Sequence, residues 1–246
     1  MIHALHGNLG SPADWDALGL PDLRAVDLWE WQERWPGISL EEFGAAFSEE
    51  VAKIDPEPVL LGYSLGGRLA LQAMMARPDL WKAAILVSTH PGLTDEDEKA
   101  SRRESDAKWA RRARKDEWGD FLASWNEQGV IRGQSTPEGQ MKLETRRESV
   151  SRAFESWSLG GQRAIEESRE EFPFPILSVA GERDEKFVRL LERFRRLGDR
   201  VDMVLVPDCG HRVPMEASER LGEVIRDWLG NRRGDFQSPA PDLPGD

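Results

Sequence analysis

The sequence predicts an open, mostly parallel α/β sheet of about six strands, covered by helices on both faces and carrying a helical insertion. Three observations predict it. Short apolar runs punctuated by Gly, Asp or Pro alternate with segments of helical period, which is the pattern of parallel strands joined by crossover helices. One of those runs passes through Gly62-Tyr63-Ser64-Leu65-Gly66 directly into an apolar-periodic helix. The chain has 246 residues of which 39% are hydrophobic, enough for one sizeable core and too few for two ordinary enzyme domains.

The elements follow in order. A first strand over Ile2–Leu5 leads into the loop His6-Gly7-Asn8-Leu9-Gly10, and a second strand is expected over Leu23–Leu28. Ser39-Leu40-Glu41-Glu42 is a capping box, in which each side chain can satisfy an otherwise unpaired backbone N–H, and it opens a helix over Leu40–Ile54. Strand Val59–Gly62 feeds helix Leu65–Ala76, and strand Ala83–Ser88 follows. From Pro91 to about Phe172 no strand pattern appears, while charge and tryptophan are dense. Residues 91–172 therefore read as a helical cap, with Trp109, Trp118, Trp125 and Trp157 as anchors. It follows the carboxyl end of a strand, where open α/β sheets place their ligands. Strand Ile176–Ala180, helix Phe187–Leu197, strand Met203–Val206 and helix Ser218–Leu229 complete the core, which spans 1–90 and 173–230. The tail 231–246, with three prolines in a polar run, is expected to be disordered.

Composition excludes several classes of function. Lys and Arg number 33 against 45 Asp and Glu, a net charge of −12, which argues against a nucleic-acid or anionic-membrane surface. Cys209 is the single cysteine, so neither an internal disulfide nor a cysteine zinc cluster can form, and a reducing compartment is implied. No basic region precedes an apolar run at the amino terminus, and no stretch approaches membrane-spanning length. The chain reads as cytoplasmic, without cofactor or metal; periodicity assigns no oligomeric state.

Gly62-x-Ser64-x-Gly66 between a strand and a helix is the setting of a nucleophile elbow. The glycines relieve a sharp turn that lifts the Ser64 Oγ clear of the sheet and leaves the Leu65 N–H pointing into the same space. A serine needs a base, and there are four histidines. His211 lies just past the last strand, where a loop can carry its imidazole over Ser64; His6 lies in the first loop, His3 inside a strand and His90 at the mouth of the insertion. The third member should be a carboxylate between the two in chain order. Asp184, after strand Ile176–Ala180, fits best, with Glu182 and Asp208 as rivals. Asn8 N–H, paired with Leu65 N–H, is the expected oxyanion hole. Only seven of the 33 cations are lysines, and Arg grips carboxylates with two parallel hydrogen bonds. Arg68, one turn into the helix after Ser64, could reach the site; a solvated position explains it equally well.

Four motifs in order then resemble the α/β-hydrolase superfamily, and within it the MenH-type 2-succinyl-6-hydroxy-2,4-cyclohexadiene-1-carboxylate synthases. They are Gly62-Tyr63-Ser64-Leu65-Gly66-Gly67-Arg68, His90-Pro91-Gly92-Leu93, Arg102 through Ser105-Asp106-Ala107-Lys108-Trp109, and Gly181-Glu182-Arg183-Asp184-Glu185-Lys186-Phe187. The resemblance implies an α/β-hydrolase fold and a lyase: the Ser–His–Asp set removes a proton, pyruvate leaves, and no acyl-enzyme forms. It implies a small anionic carboxylate substrate, bound by arginines that match Arg68 and Arg102, with a third at Arg146 or Arg147. Trp125 matches a pocket tryptophan of the cap, and Tyr63 is carried over as a pocket residue. The chain departs from the family in three places. Two leading strands of the full sheet are expected to be missing, which trims an edge away from the site. Val26-Asp27-Leu28-Trp29-Glu30-Trp31 replaces the usual Asp-Leu-Pro-Gly-His-Gly turn, and Arg212 follows His211 where a second histidine is often seen. The competing functions are a carboxylesterase or thioesterase using the same triad through an acyl-enzyme, and a hydrolase-fold binding protein whose triad is unused.

Overall fold

The computed structural model describes residues 1–137, 139–167 and 172–232. Six strands, β1 (Ile2–Leu5), β2 (Leu23–Val26), β3 (Val59–Tyr63), β4 (Ala83–Val87), β5 (Ile176–Gly181) and β6 (Val201–Val206), form one sheet in the order β2-β1-β3-β4-β5-β6. Every pairing is parallel. Alternate residues face opposite layers, and both layers are apolar. Leu5, Leu60, Ala84, Leu86 and Ile176 join one core cluster, whereas Ala4, Leu61, Ile85, Val87 and Leu177 join the other. Strands buried on both faces are therefore near-continuous apolar runs rather than alternating ones.

Helices α1 (Leu28–Arg34), α2 (Leu40–Ala52) and α3 (Leu65–Ala76) precede β4. The Ser39–Glu42 capping box closes reciprocally at the start of α2, with Glu42 N–H on Ser39 Oγ and Ser39 N–H on Glu42 Oε2. Between β4 and β5 lie α4 (Glu96–Lys115), α5 (Trp118–Asn126) and α6 (Arg147–Ser156). Then come α7 (Glu185–Arg195), the single turn α8 (Val213–Glu216) and α9 (Ser218–Asn231). The α4–α6 segment packs on aromatic contacts: Trp125 meets Trp109 edge-on at 5.1 Å and Phe154 at 5.1 Å.

Several bounds move by two residues, β6 starting at Val201, α2 ending at Ala52 and α7 spanning Glu185–Arg195, and two expectations change with a physical reason. The second strand stops at Val26, because Asp27 caps a helix: its Oδ1 accepts from Trp29 N–H at 2.9 Å and from Glu30 N–H at 3.4 Å, so Leu28 begins α1. At the carboxyl end, Asn231 closes α9 instead of opening a tail, and the expected disorder beyond Arg232 lies outside the described residues.

Candidate active site

The strands leave their carboxyl ends on one edge, and three adjacent ones turn away through left-handed residues. After β1 it is Leu9 (φ 54°), after β3 Ser64 (φ 52°) and after β4 Ser88 (φ 45°). None is glycine, and holding a residue with a side chain at such a positive φ costs about 1–3 kcal/mol, so strain collects where the site lies. At the elbow Gly66 has no alternative. A Cβ there would enter the carbonyls of Leu5 and His6 on the neighbouring strand end, which lets α3 start hard against the sheet.

Ser64 Oγ stands 3.1 Å from His211 Nε2, and His211 Nδ1 stands 2.8 Å from Asp184 Oδ2. With Nδ1–H donating to the carboxylate, Nε2 is left as an acceptor for the serine hydroxyl, the orientation a general base requires. His211 and Asp184 are both buried, and the Phe187 ring lies 4.5 Å from the imidazole. Asp184 also accepts from Phe187 N–H at 3.3 Å and caps α7, so the first turn of that helix fixes the carboxylate. Both rival carboxylates point elsewhere. Asp208 is exposed and ion-paired with Arg183 at 2.5 Å, and Glu182 accepts from Asp208 N–H at 3.3 Å.

A cavity of about 460 Å³ opens over Ser64. Asn8 and Leu65 line it beside the serine, and among the described residues neither backbone amide has an acceptor. Two free N–H groups flanking a hydroxyl suit an oxygen that gains negative charge. Arg68 and Arg102 line the same cavity. Arg68 donates through Nη1 to the Trp157 carbonyl at 2.8 Å; burial, reinforced by Arg102, draws its pKa down to about 9, which keeps it cationic at neutral pH. Arg102 is held through Nε by both oxygens of buried Asp106 at 2.9 Å, and Asp106 is held in turn by Ser158 Oγ at 2.8 Å. Trp125 supplies an aromatic wall.

Three of the expected pocket residues are not in the cavity lining. Arg146 bonds Glu33 through Nε and Nη2 at 2.7 and 2.9 Å and Asp27 through Nη1 at 2.6 Å, tying its turn to both ends of α1. Arg147 donates to the carbonyls of Ala113 and Asp116 at 2.9 and 2.6 Å, capping the end of α4, and lies over the Trp118 ring. Both guanidinium groups are engaged by acceptors that the sequence does not mark as neighbours. Tyr63 is buried beneath the site, its ring 5.8 Å from that of His211 and packed under Gly7.

Lys186 and His90 also line the cavity, where no spacing in the sequence marks them as pocket groups. Lys186 lies two residues after Asp184, within a motif already noted, and burial and Arg102 lower its pKa. His90 Nδ1 accepts from Gly92 N–H at 3.1 Å, which leaves its proton on Nε2. Burial, with Lys186, Arg68, Arg193 and Arg102 nearby, draws its pKa to about 3, so it is a neutral donor among cations. His6 is structural: it donates from Nδ1 to Gly7 O at 2.9 Å and accepts at Nε2 from Leu28 N–H at 3.2 Å. His3 pairs with Asp55 at 3.0 Å inside the sheet layer. Among the described residues no His, Cys, Asp or Glu cluster could hold a metal, and no helix is long and apolar enough to cross a membrane.

A sequence profile described as the alpha/beta hydrolase family matches residues 4–225. The 2-succinyl-6-hydroxy-2,4-cyclohexadiene-1-carboxylate synthase of Salmonella arizonae is 31% identical over 175 residues, covering 68% of each chain. A Haemophilus influenzae protein that bears the same synthase name provisionally is 28% identical over 241 residues, 92% of this chain and 95% of its own. Among solved structures, MenH from S. aureus aligns with a TM-score of 0.80 over 94% of both chains at 22% identity. A thermophilic esterase from Thermogutta terrifontis, solved with malate bound, has a TM-score of 0.67, covering 94% of this chain and 89% of its own at 21% identity. The last two likenesses concern fold.

Proposed function

The chain belongs to the alpha/beta hydrolase family, and from that premise we propose that it is a MenH-type carbon–oxygen lyase expelling pyruvate from 2-succinyl-5-enolpyruvyl-6-hydroxy-3-cyclohexene-1-carboxylate. The observation that carries this reading is the set of three cations, Arg68, Arg102 and Lys186, around the cavity above Ser64. That substrate has three carboxylates, on the ring, the succinyl arm and the enolpyruvyl ether. A neutral ester would gain nothing from three cations that must be kept partly desolvated. On a protein of net charge −12, such a pocket also supplies the local attraction a polyanion needs.

In the proposed step His211 Nε2 takes the Ser64 hydroxyl proton, and the alkoxide removes a ring proton of the substrate. The C–H electron pair becomes a new ring double bond, the ring double bond already present shifts one position toward the carbon bearing the ether, and the C–O bond to the enolpyruvyl group breaks. The departing enolate takes a proton and leaves as pyruvate, and Asp184 stabilises the imidazolium meanwhile. The Asn8 and Leu65 amides hold the oxygen on which charge accumulates. No bond between Ser64 and the substrate is required.

Pyruvate release is the direct test. The wild-type protein should release pyruvate from this substrate and Ser64→Ala should not; a wild-type rate equal to the uncatalysed one rejects the assignment. A second reading, ester or thioester hydrolysis through an acyl-enzyme, is favoured by the pair of free amides beside an activated serine. It predicts a burst of product from an activated ester and turnover that survives Arg68→Ala and Arg102→Ala.

A further inference from the structure

The residues on both sides of His211 are held by one piece of the segment between β4 and β5. Arg212 is 3% exposed. Its Nη1 donates to Ser135 O at 3.1 Å, its Nη2 to Asn126 Oδ1 at 2.5 Å, and its backbone N–H to Gln134 Oε1 at 2.9 Å. On the other side, a Cβ at Gly210 would strike the Gln134 amide, so the same glutamine rests on the residue before His211 as well. Gly210 N–H is fixed by Glu216 Oε2 at 2.7 Å, and Asn126 Nδ2 donates onward to Gln140 Oε1 at 3.0 Å. A continuous chain of hydrogen bonds thus runs from the helical segment to the backbone that carries the imidazole.

Its central member is unusual in charge. Among the described residues Arg212 forms no ion pair within 4.0 Å, and the oxygens that receive its guanidinium are neutral, although Tyr63, Glu216 and Asp14 act on it through space. A buried cation satisfied in this way tolerates little displacement, because withdrawing Asn126 and Ser135 would leave its donors unpaired in a poorly solvated place. The segment and the His211 loop must therefore shift together. The same stretch, at Gln128, Gly129, Val130 and Ile131, forms one wall of the cavity, whereas Asn126, Gln134 and Arg212 do not line it.

We propose that Arg212 is a positioning residue that couples the seating of residues 126–135 to the alignment of His211 with Ser64. Whatever fills the cavity and presses the 128–131 wall into place then also sets the base. This rests on the proposed pairing of Ser64 with His211 and on nothing about the substrate's identity.

The test reads serine activation and turnover separately. Asn126→Ala, Gln134→Ala and Arg212→Met are expected to slow covalent labelling of Ser64 by a fluorophosphonate roughly tenfold or more, since small misplacements of a catalytic group cost this much. In the pyruvate assay kcat should fall by a similar factor with KM within about twofold, because none of the three lines the cavity. Arg212→Lys, which can restore one of the bonds, should recover part of the loss. Labelling and kcat at wild-type levels in folded Asn126→Ala and Gln134→Ala overturn the coupling, and these two decide the matter even if Arg212→Met fails to fold. A loss confined to KM overturns it as well. A wild-type serine that resists labelling sinks the Ser64–His211 pairing and this inference together, whereas a labelled wild type that releases no pyruvate sinks only the substrate assignment.

Discussion

Among the described residues Asp106 engages Arg102 through Nε alone, which leaves the outer nitrogens to reach the cavity, and Ser158 holds Asp106 in place. Removing Arg102 should therefore cost substrate binding. Arg102→Ala is expected to raise KM about ten- to a hundredfold, the scale of a charge-assisted pair, and Asp106→Asn should raise it less, by loosening the same guanidinium. Steady-state pyruvate kinetics check both, and an unchanged KM in Arg102→Ala would remove this arginine from the binding set. At this scale the meeting of Ser64, Asp184 and His211 was legible from chain order and motif, since the elbow names its serine and only four histidines exist. Arg146 and Arg147 were not. Their acceptors, Asp27 and Glu33 on α1 and the carbonyls ending α4, become neighbours only after folding. Lys186 carries no signal of its own in the sequence, because a lysine two residues after Asp184 looks like any other solvated charge.

At the scale of elements, the sheet was readable because every strand is a short apolar run closed by a turn residue, and the capping box announced α2. The error at β2 had a definite cause. Leu23-Arg24-Ala25-Val26-Asp27-Leu28 keeps its apolar character past the strand end, while Asp27 works as a helix cap, and reading it as strand hid both α1 and the acceptor that holds Arg146. Gly66 shows how tightly two elements are joined. Gly66→Ala places a methyl group against the backbone of Leu5 and His6, so it should lower stability in urea by about 2–3 kcal/mol, the scale of overpacking, and slow labelling of Ser64. A variant as stable as wild type would mean that α3 can move off β1 freely.

For the molecule as a whole, buried imidazoles set the response to acid. His90 and His6 titrate near 3 and 4 in the fold, chiefly through burial, against 6.5 when exposed. As pH falls below 6.5 the unfolded chain takes up these protons first, so the stability from this source is complete above 6.5 and is lost on the way down to the folded values. Asp14 has the opposite sign: burial raises its carboxyl from 3.8 to about 7, so stability falls as pH rises through that interval. Two imidazoles oppose one carboxyl, and buried His3, also lowered, joins the imidazoles. The melting temperature should therefore climb between pH 4 and 6.5, and His90→Gln should flatten the climb; an equal slope in that variant would show that His90 is solvated.

The left-handed turn at Ser64 has an implication for how this scaffold ages under selection. A glycine there would sit at ease in the φ of 52° that a serine must be forced into. Ser64→Gly should hence melt higher than the wild type while doing no chemistry, with a gain on the order of 1 kcal/mol. Should that variant melt at or below the wild-type temperature, the bend would be a relaxed one. Otherwise, a lineage freed from the need to react could drift toward sturdier, inert descendants, and only continued demand for the reaction keeps the spring wound.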